Sequence, residues 1–383
     1  MPSLKLTWAQ VTAWRLAQQG LAPRLGHAGF LDAVQRMLGV QAQVMSAAEL
    51  SMGARVNGLT QAQVQRALWQ DRTLVKTWAM RGTIHIFAAA DLPLVVAARC
   101  ADGARYCLHD FLQLGFTEGQ YDAFLRAVPE VLDAEPMTRE ALASGVAERM
   151  QTPEVGPALL GSSWGTLWKP SMFRGELCFG PSAGRTNTFV NPRTWLPAWQ
   201  EWDPREAQQE ITRRYLRTYG PATPRDFGFW WDGGGTTFGK QMFAALGDEV
   251  ETVDVEGWQA TALRSTLGAM VHGTTEPSVR LLPMFDVYVL TQSRNLAPVL
   301  AQEHKGKVFR PAAWVSAVVL VDGTIAGVWE YETRQDRTRL QVRMFTPPAE
   351  QVRRDIAAEA ERLANFLDTQ VAVEYNTGCP PPA

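Results

Sequence analysis

"TLVKTWAMRGTIHIFA", residues 73–88, carries two apolar runs that alternate with polar positions on either side of Arg81-Gly82. Alternation at period two marks half-buried strands, and a polar residue followed by glycine between them marks a turn, so the stretch predicts a β-hairpin. What precedes it has another period. "LTWAQVTAWRLAQQ" (6–19), "HAGFLDAVQRMLGV" (27–40) and "LTQAQVQRALWQD" (59–71) repeat apolar residues at helical spacing, with Thr7 and Thr60 where N-caps belong. Three helices followed by a hairpin is the outline of a winged helix-turn-helix unit.

The outline recurs twice. "TEGQYDAFLRAVPEVLDAEPMTREALASGVAERM" (117–150) reads as helix, turn and a helix capped by Thr138, and "LLGSSWGTLWKPSMFRGELCFGPSAGRTNTFV" (159–190) as a helix and a strand–turn–strand. "PREAQQEITRRYLRTYGPATPRDFGFWW" (204–231) opens a third copy, in which Thr223 stands before Pro224, a cap followed by the favoured first helical residue. After residue 275 the composition turns to β-branched and aromatic residues with Asp-Gly turns, notably in "VRLLPMFDVYVLT" (279–291) and "AAWVSAVVLVDGTIAGVWEYE" (312–332). These read as strands of a small sheet or barrel, closed by an amphipathic helix entered through Pro347 and Pro348. The expected architecture is α+β: winged-helix units over 1–115, 116–203 and 204–278, then a small C-terminal β-barrel with its closing helix over 279–383.

Composition narrows the function. At 46% hydrophobic and 20% charged the chain is ordinary globular protein, and no stretch approaches the roughly 18 uncharged apolar residues of a membrane span. The opening "MPSLKLTWAQ" lacks the apolar run of a signal peptide, so a cytoplasmic protein is expected. A net charge of −2 excludes a basic nucleic-acid coat. Yet residues 1–100 hold ten Lys/Arg against four Asp/Glu. That local surplus is a candidate footprint for phosphate.

Several chemistries drop out. Cys100, Cys107, Cys178 and Cys379 form no CxxC pair, and the five histidines share no ligand spacing, so neither a metal nor another cofactor is expected. "GGTTFGK" (234–240) nearly matches a P-loop, but Gln241 stands where Ser or Thr must hold magnesium, and a turn between helices accounts for it better. Asp286 is a carboxylate in an apolar run read as a strand; burial there demands a role, either structural, as a cap or an arginine partner, which is favoured, or catalytic. His85, beside the basic turn, reads as a strand histidine with a satisfied partner in preference to a catalytic base. Residues 162–195 interleave Lys169, Arg174, Arg185 and Arg193 with Trp164, Trp168, Phe173 and Phe179, a pattern suited to a wing touching phosphate.

One further stretch asks for explanation. "LGVQAQVMSAAELSMGAR" (38–55) places Gln41 and Gln43 two apart in an apolar run. On a continuous helix such positions point about 200° apart and share no target; from an extended segment or a helix end they can. The small residues that follow would allow another backbone, or DNA, to come close. The tripeptide alone is weak, since Gln61-Ala62-Gln63 repeats it at a plain helix start.

Taken in order, "VQAQ", "WAMRGTIHIF", "LWKPSMFRGELCFGPSAGR", "YGPATPRDF", "LLPMFDVYVL" and "VLVDGTIAGVW" resemble the winged-helix DNA glycosylase family of the AlkZ and YcaQ type, over roughly residues 5–375. The resemblance implies three winged-helix units and a small β-barrel arranged as a C that embraces DNA; the expected partner is double-stranded DNA carrying alkylated purines, and a monomer is expected. It implies monofunctional hydrolysis of the N-glycosidic bond of N7-alkylated purines, including guanines in interstrand crosslinks. The family's Gln–apolar–Gln motif falls on Gln41, Ala42 and Gln43. Ala42 is small for the middle position, and "TQSRN" (291–295) and "DGGGTTFG" (232–239) differ from common members. The residues expected to face DNA are Arg55, Arg81, His85, Lys169, Arg174 and Arg185. The alternatives are a non-enzymatic winged-helix regulator and, more distantly, an RNA-binding or scaffold protein. Three tandem units, and a helix opened by Thr138 with little base-reading chemistry, speak against the regulator.

Overall fold

In the computed structural model, residues 4–101, 103, 105–233, 235–274, 276–291 and 298–375 are described. Cys379 and the segment from Gln292 in "TQSRN" lie outside them. The fold is mixed α and β, in two compact units. One comprises Met1–Val64 with Thr212–Ala383, the other Gln65–Ile211. The chain leaves the first along the helix Gln61–Trp69 and returns along Pro204–Tyr219.

In the first unit, Trp8–Gln18 is a helix because Thr7 and Gln10 form a reciprocal capping box at its start. Leu4–Leu6 pairs in parallel with Val250–Val255, which pairs antiparallel with Trp258–Leu263. Thr223 caps Pro224–Asp232 through a second box with Asp226. Two glycines inside the helices Pro224–Asp232 and Thr236–Ala244 serve close packing. A Cβ on Gly228 would meet the Gly235 carbonyl oxygen at 2.1 Å, and one on Gly239 the Pro224 carbonyl oxygen at 1.9 Å. The near P-loop is thus two helices crossing at backbone contact.

The C-terminal strands run Val279–Leu282, Val318–Val321, Thr324–Arg334, Arg337–Met344 and Gln370–Tyr375, in that spatial order. The first three pairings are antiparallel and the last is parallel, joined across the helix Glu350–Leu367. Among the described residues this is an open five-stranded sheet rather than the expected closed barrel, because its two outer strands do not pair. The expected strand around Asp286 also differs: Pro283 follows the last strand residue, and Val287–Thr291 is a short helix. Apolar periodicity over so few residues cannot separate a strand from a buried helical turn.

In the second unit, Leu74–Trp78 and Ile84–Ala88 form the expected antiparallel hairpin, with Trp78 opposite Ile84. Thr138 caps Arg139–Met150, and a later hairpin joins Cys178–Ala183 to Thr186–Val190. Phe111, Phe124, Leu142, Val146, Trp168 and Phe189 form its core. A threonine-capped helix followed by a hairpin thus occurs three times, from Thr60, Thr138 and Thr223.

Candidate active site

The helix Phe30–Met37 ends on two successive left-handed residues, Leu38 (φ 53°) and Gly39 (φ 99°). The reversal releases the chain into the short strand Val40–Gln41, and helix resumes only at Met45. Both glutamines therefore lie in a non-helical connection, where alternate residues can share a side. Val40 and Ala42 are buried and anchor the connection; Gln41 is buried and Gln43 is exposed. An amide there has two kinds of use. Its oxygen accepts a hydrogen bond from water, and its dipole can face a developing positive charge.

Behind the glutamines lies Met45–Gly53, with every residue from Ala47 to Met52 buried. Its small residues admit another part of the protein rather than DNA. A Cβ on Gly53 would stand 2.6 Å from Cδ2 of Phe366, in the helix Glu350–Leu367. Glu49 is buried and accepts from Gln61 Nε2 at 2.6 Å. The second glutamine pair is thus divided in role, since Gln63 Oε1 accepts from the Thr60 backbone amide at 2.9 Å.

Arg55 is fully buried. Its Nη1 and Nη2 grip Asp286 Oδ2 and Oδ1 at 2.7 and 2.8 Å, and Ser51 donates to the same carboxylate at 2.6 Å. With no exposed surface and its charge held by a carboxylate, Arg55 does not face DNA. The surplus of basic residues in the sequence does not distinguish a surface arginine from one held in the core. Asp286 also accepts from the Tyr288 amide at 2.9 Å, so it both caps and pairs, as its apolar surroundings require.

In the second unit, three expected residues gather at one turn. Arg81 and Gly82 are both left-handed (φ 54° and 63°), and the open side of Gly82 faces Lys169, whose Nζ would lie 3.5 Å from a Cβ there. His85 is buried, with Nδ1 2.9 Å from the Thr83 carbonyl oxygen. Burial, aided by the positive charge of Arg81, lowers its pKa to about 3, so it stays neutral and supplies no charge to a phosphate. Arg185 is exposed next to Gly184 in the turn between Cys178–Ala183 and Thr186–Val190. Arg174 is exposed but its Nε lies 2.8 Å from Glu176. Burial raises the thiol pKa values of Cys178 and Cys107, the latter to about 11, which leaves both as unreactive thiols.

The family model described as DNA glycosylase AlkZ-like matches residues 34–366, a span that contains both glutamines and runs into the last helix. A curated relative from Streptomyces sahachiroi, "Interstrand DNA cross-link repair glycosylase", is 34% identical over 364 residues, covering 92% of this chain and 97% of its own. The solved structure of Streptomyces sahachiroi DNA glycosylase AlkZ superposes with a TM-score of 0.87 at 32% identity, over 97% of this chain and all of that one. On the breadth of these matches, the chain belongs to the AlkZ-like DNA glycosylase family.

Proposed function

We propose that the protein is a monofunctional DNA glycosylase that hydrolyses the N-glycosidic bond of N7-alkylated purines in double-stranded DNA, interstrand crosslinks included. The observation that carries this reading is the pair Gln41 and Gln43, held off the helix by Leu38 and Gly39. An N7-alkylguanine is already cationic, so it departs as a neutral base with the bonding electron pair and needs no general acid. That removes one of the two carboxyl groups ordinary glycoside hydrolysis requires. What remains is to hold a water against C1′ and stabilise an oxocarbenium-like sugar. The water adds its oxygen to C1′ and releases a proton to solvent. Two amides suit this task and can neither protonate the base of a normal nucleotide nor deprotonate water, so normal nucleotides are spared. The 34% identical relative, an interstrand DNA cross-link repair glycosylase, supports the crosslink substrate.

The same reading takes 1–115, 116–203 and 204–278 as winged-helix units that together track the duplex, with 279–383 as a closing module and one chain per lesion. Arg81, Lys169, Arg174 and Arg185 are its phosphate contacts. The test is single-turnover excision from duplexes carrying N7-methylguanine or an interstrand crosslink, followed by alkaline cleavage of abasic sites. Excision with strand breakage only after the alkaline treatment supports the reading. Sequence-selective binding of undamaged DNA with no excision would point to a regulator instead.

A further inference from the structure

An unexplained feature of the first unit is the turn 310–314. Phe309 and Val315 pair as an antiparallel bridge, the Arg310 amide donates to the Trp314 carbonyl at 2.9 Å, and the five residues between are all exposed. Ala312 and Ala313 both take left-handed backbone, at φ 57° and 59°. Neither is a glycine, and two such residues in succession cost free energy that the surrounding structure must offset. What the turn presents is Trp314, 40% exposed, one of few large apolar side chains left in solvent among the described residues. Its indole is not loose: it packs edge-on against Phe285, with centroids 5.1 Å apart at 71°. Phe285 is itself left-handed (φ 59°), and the next residue, Asp286, is fixed to Ser51 and Arg55. A chain of direct contacts therefore runs from Trp314 to the end of the helix that starts just after Gln43.

Along the sequence, the charge flanking the turn has one sign. Lys305, Lys307 and Arg310 lie within six residues, and no acid occurs between Glu303 and Asp322. Arg310 is exposed and the two lysines are half-buried. A rigid exposed indole flanked by cations is the arrangement that binds unpaired nucleobases, with the ring face stacking on a base and the cations following the backbone.

We propose that the turn 310–314 is a DNA-contacting element in which Trp314 stacks on a base unpaired beside the lesion, while Lys305, Lys307 and Arg310 face the neighbouring phosphates. The proposal rests on the glycosylase reading above. A stacking contact and a phosphate contact differ in their response to salt, which makes the assignment testable. Binding to a duplex carrying a tetrahydrofuran abasic analogue is measured over a salt series, with thermal melts alongside. Trp314→Ala is expected to weaken binding about 5- to 100-fold at every salt concentration, with an unchanged salt slope. Trp314→Phe should stay within roughly threefold of wild type, because a ring face is retained. Trp314→Leu keeps apolar bulk against Phe285 without that face and should bind as weakly as Trp314→Ala. Arg310→Ala should lower the slope by about 0.9. Wild-type affinity in Trp314→Leu, or a Trp314→Ala defect seen only as a changed slope, overturns the assignment. If wild type neither binds nor excises, the glycosylase reading fails; if it does both while Trp314→Leu matches it, only this inference fails.

Discussion

Arg55 and Asp286 stand 231 positions apart in sequence and meet as a two-pronged ion pair, at 2.7 and 2.8 Å, with no exposed side-chain surface on either. The pair joins the turn just after the helix Met45–Gly53 to the segment following the first strand of the C-terminal sheet. Ser51 closes the arrangement from the same helix.

Breaking one half of this pair should be far worse than removing both. Asp286→Ala leaves a guanidinium in the core and should cost about 3–5 kcal/mol in denaturant unfolding. The double variant Arg55→Met/Asp286→Leu removes both charges and should recover most of that loss. Equal stability of the single and double variants would show that the buried charge is not what the fold depends on.

Gln41→Ala and Gln43→Ala should each slow excision by ~10²–10³, the usual cost of one lost transition-state contact. Acting on one water, the two should be non-additive, so the double variant should be little slower than the slower single. Gln43 is exposed, and its variant should melt with wild type. Gln63→Ala, at the exposed cap of its helix, is the control and should keep full activity. Gln61→Ala is unsuitable, because it strips a partner from the buried carboxylate of Glu49. Wild-type excision by folded Gln41→Ala and Gln43→Ala sinks the catalytic assignment.

Arg81, Lys169 beside its turn, and Arg185 in the later hairpin should govern salt dependence. Each phosphate contact contributes about 0.9 to the slope of log affinity against log salt. Arg81→Ala, Lys169→Ala and Arg185→Ala should each flatten that slope by about one such step, while His85→Asn should leave it unchanged. A slope insensitive to all three cation variants would place the duplex elsewhere.

His85 should make the fold acid-sensitive. Its pKa falls from the ordinary 6.5 to about 3 in the folded chain, so between those values the unfolded chain binds the extra proton. The stabilisation from keeping it neutral is complete above about pH 6.5 and is lost progressively as pH falls toward the folded value. His85→Asn should therefore lose less stability than wild type between pH 7 and about 4 in thermal melts. Parallel melting curves for the two proteins would contradict this.

Much of the fold is written locally. The period-two runs at 73–88, the helical periods before them and the threonines at 60, 138 and 223 depend on near neighbours, because caps and hairpins are closed by residues a few positions apart. That Gln41 and Gln43 call for an extended segment or a helix end was also legible, through their spacing, as was the demand that Asp286 have a partner. The identity of that partner was not. Nothing in the run around Arg55 distinguishes a core arginine from a surface one, since burial is settled by what packs 231 positions away. The same limit hid the neutral state of His85, the open sheet in place of a barrel, and the division of labour between Gln61 and Gln63. Periodicity reports which side of an element is apolar; whether a charge on it meets water, a carboxylate or a phosphate depends on long-range packing, which only the tertiary structure decides.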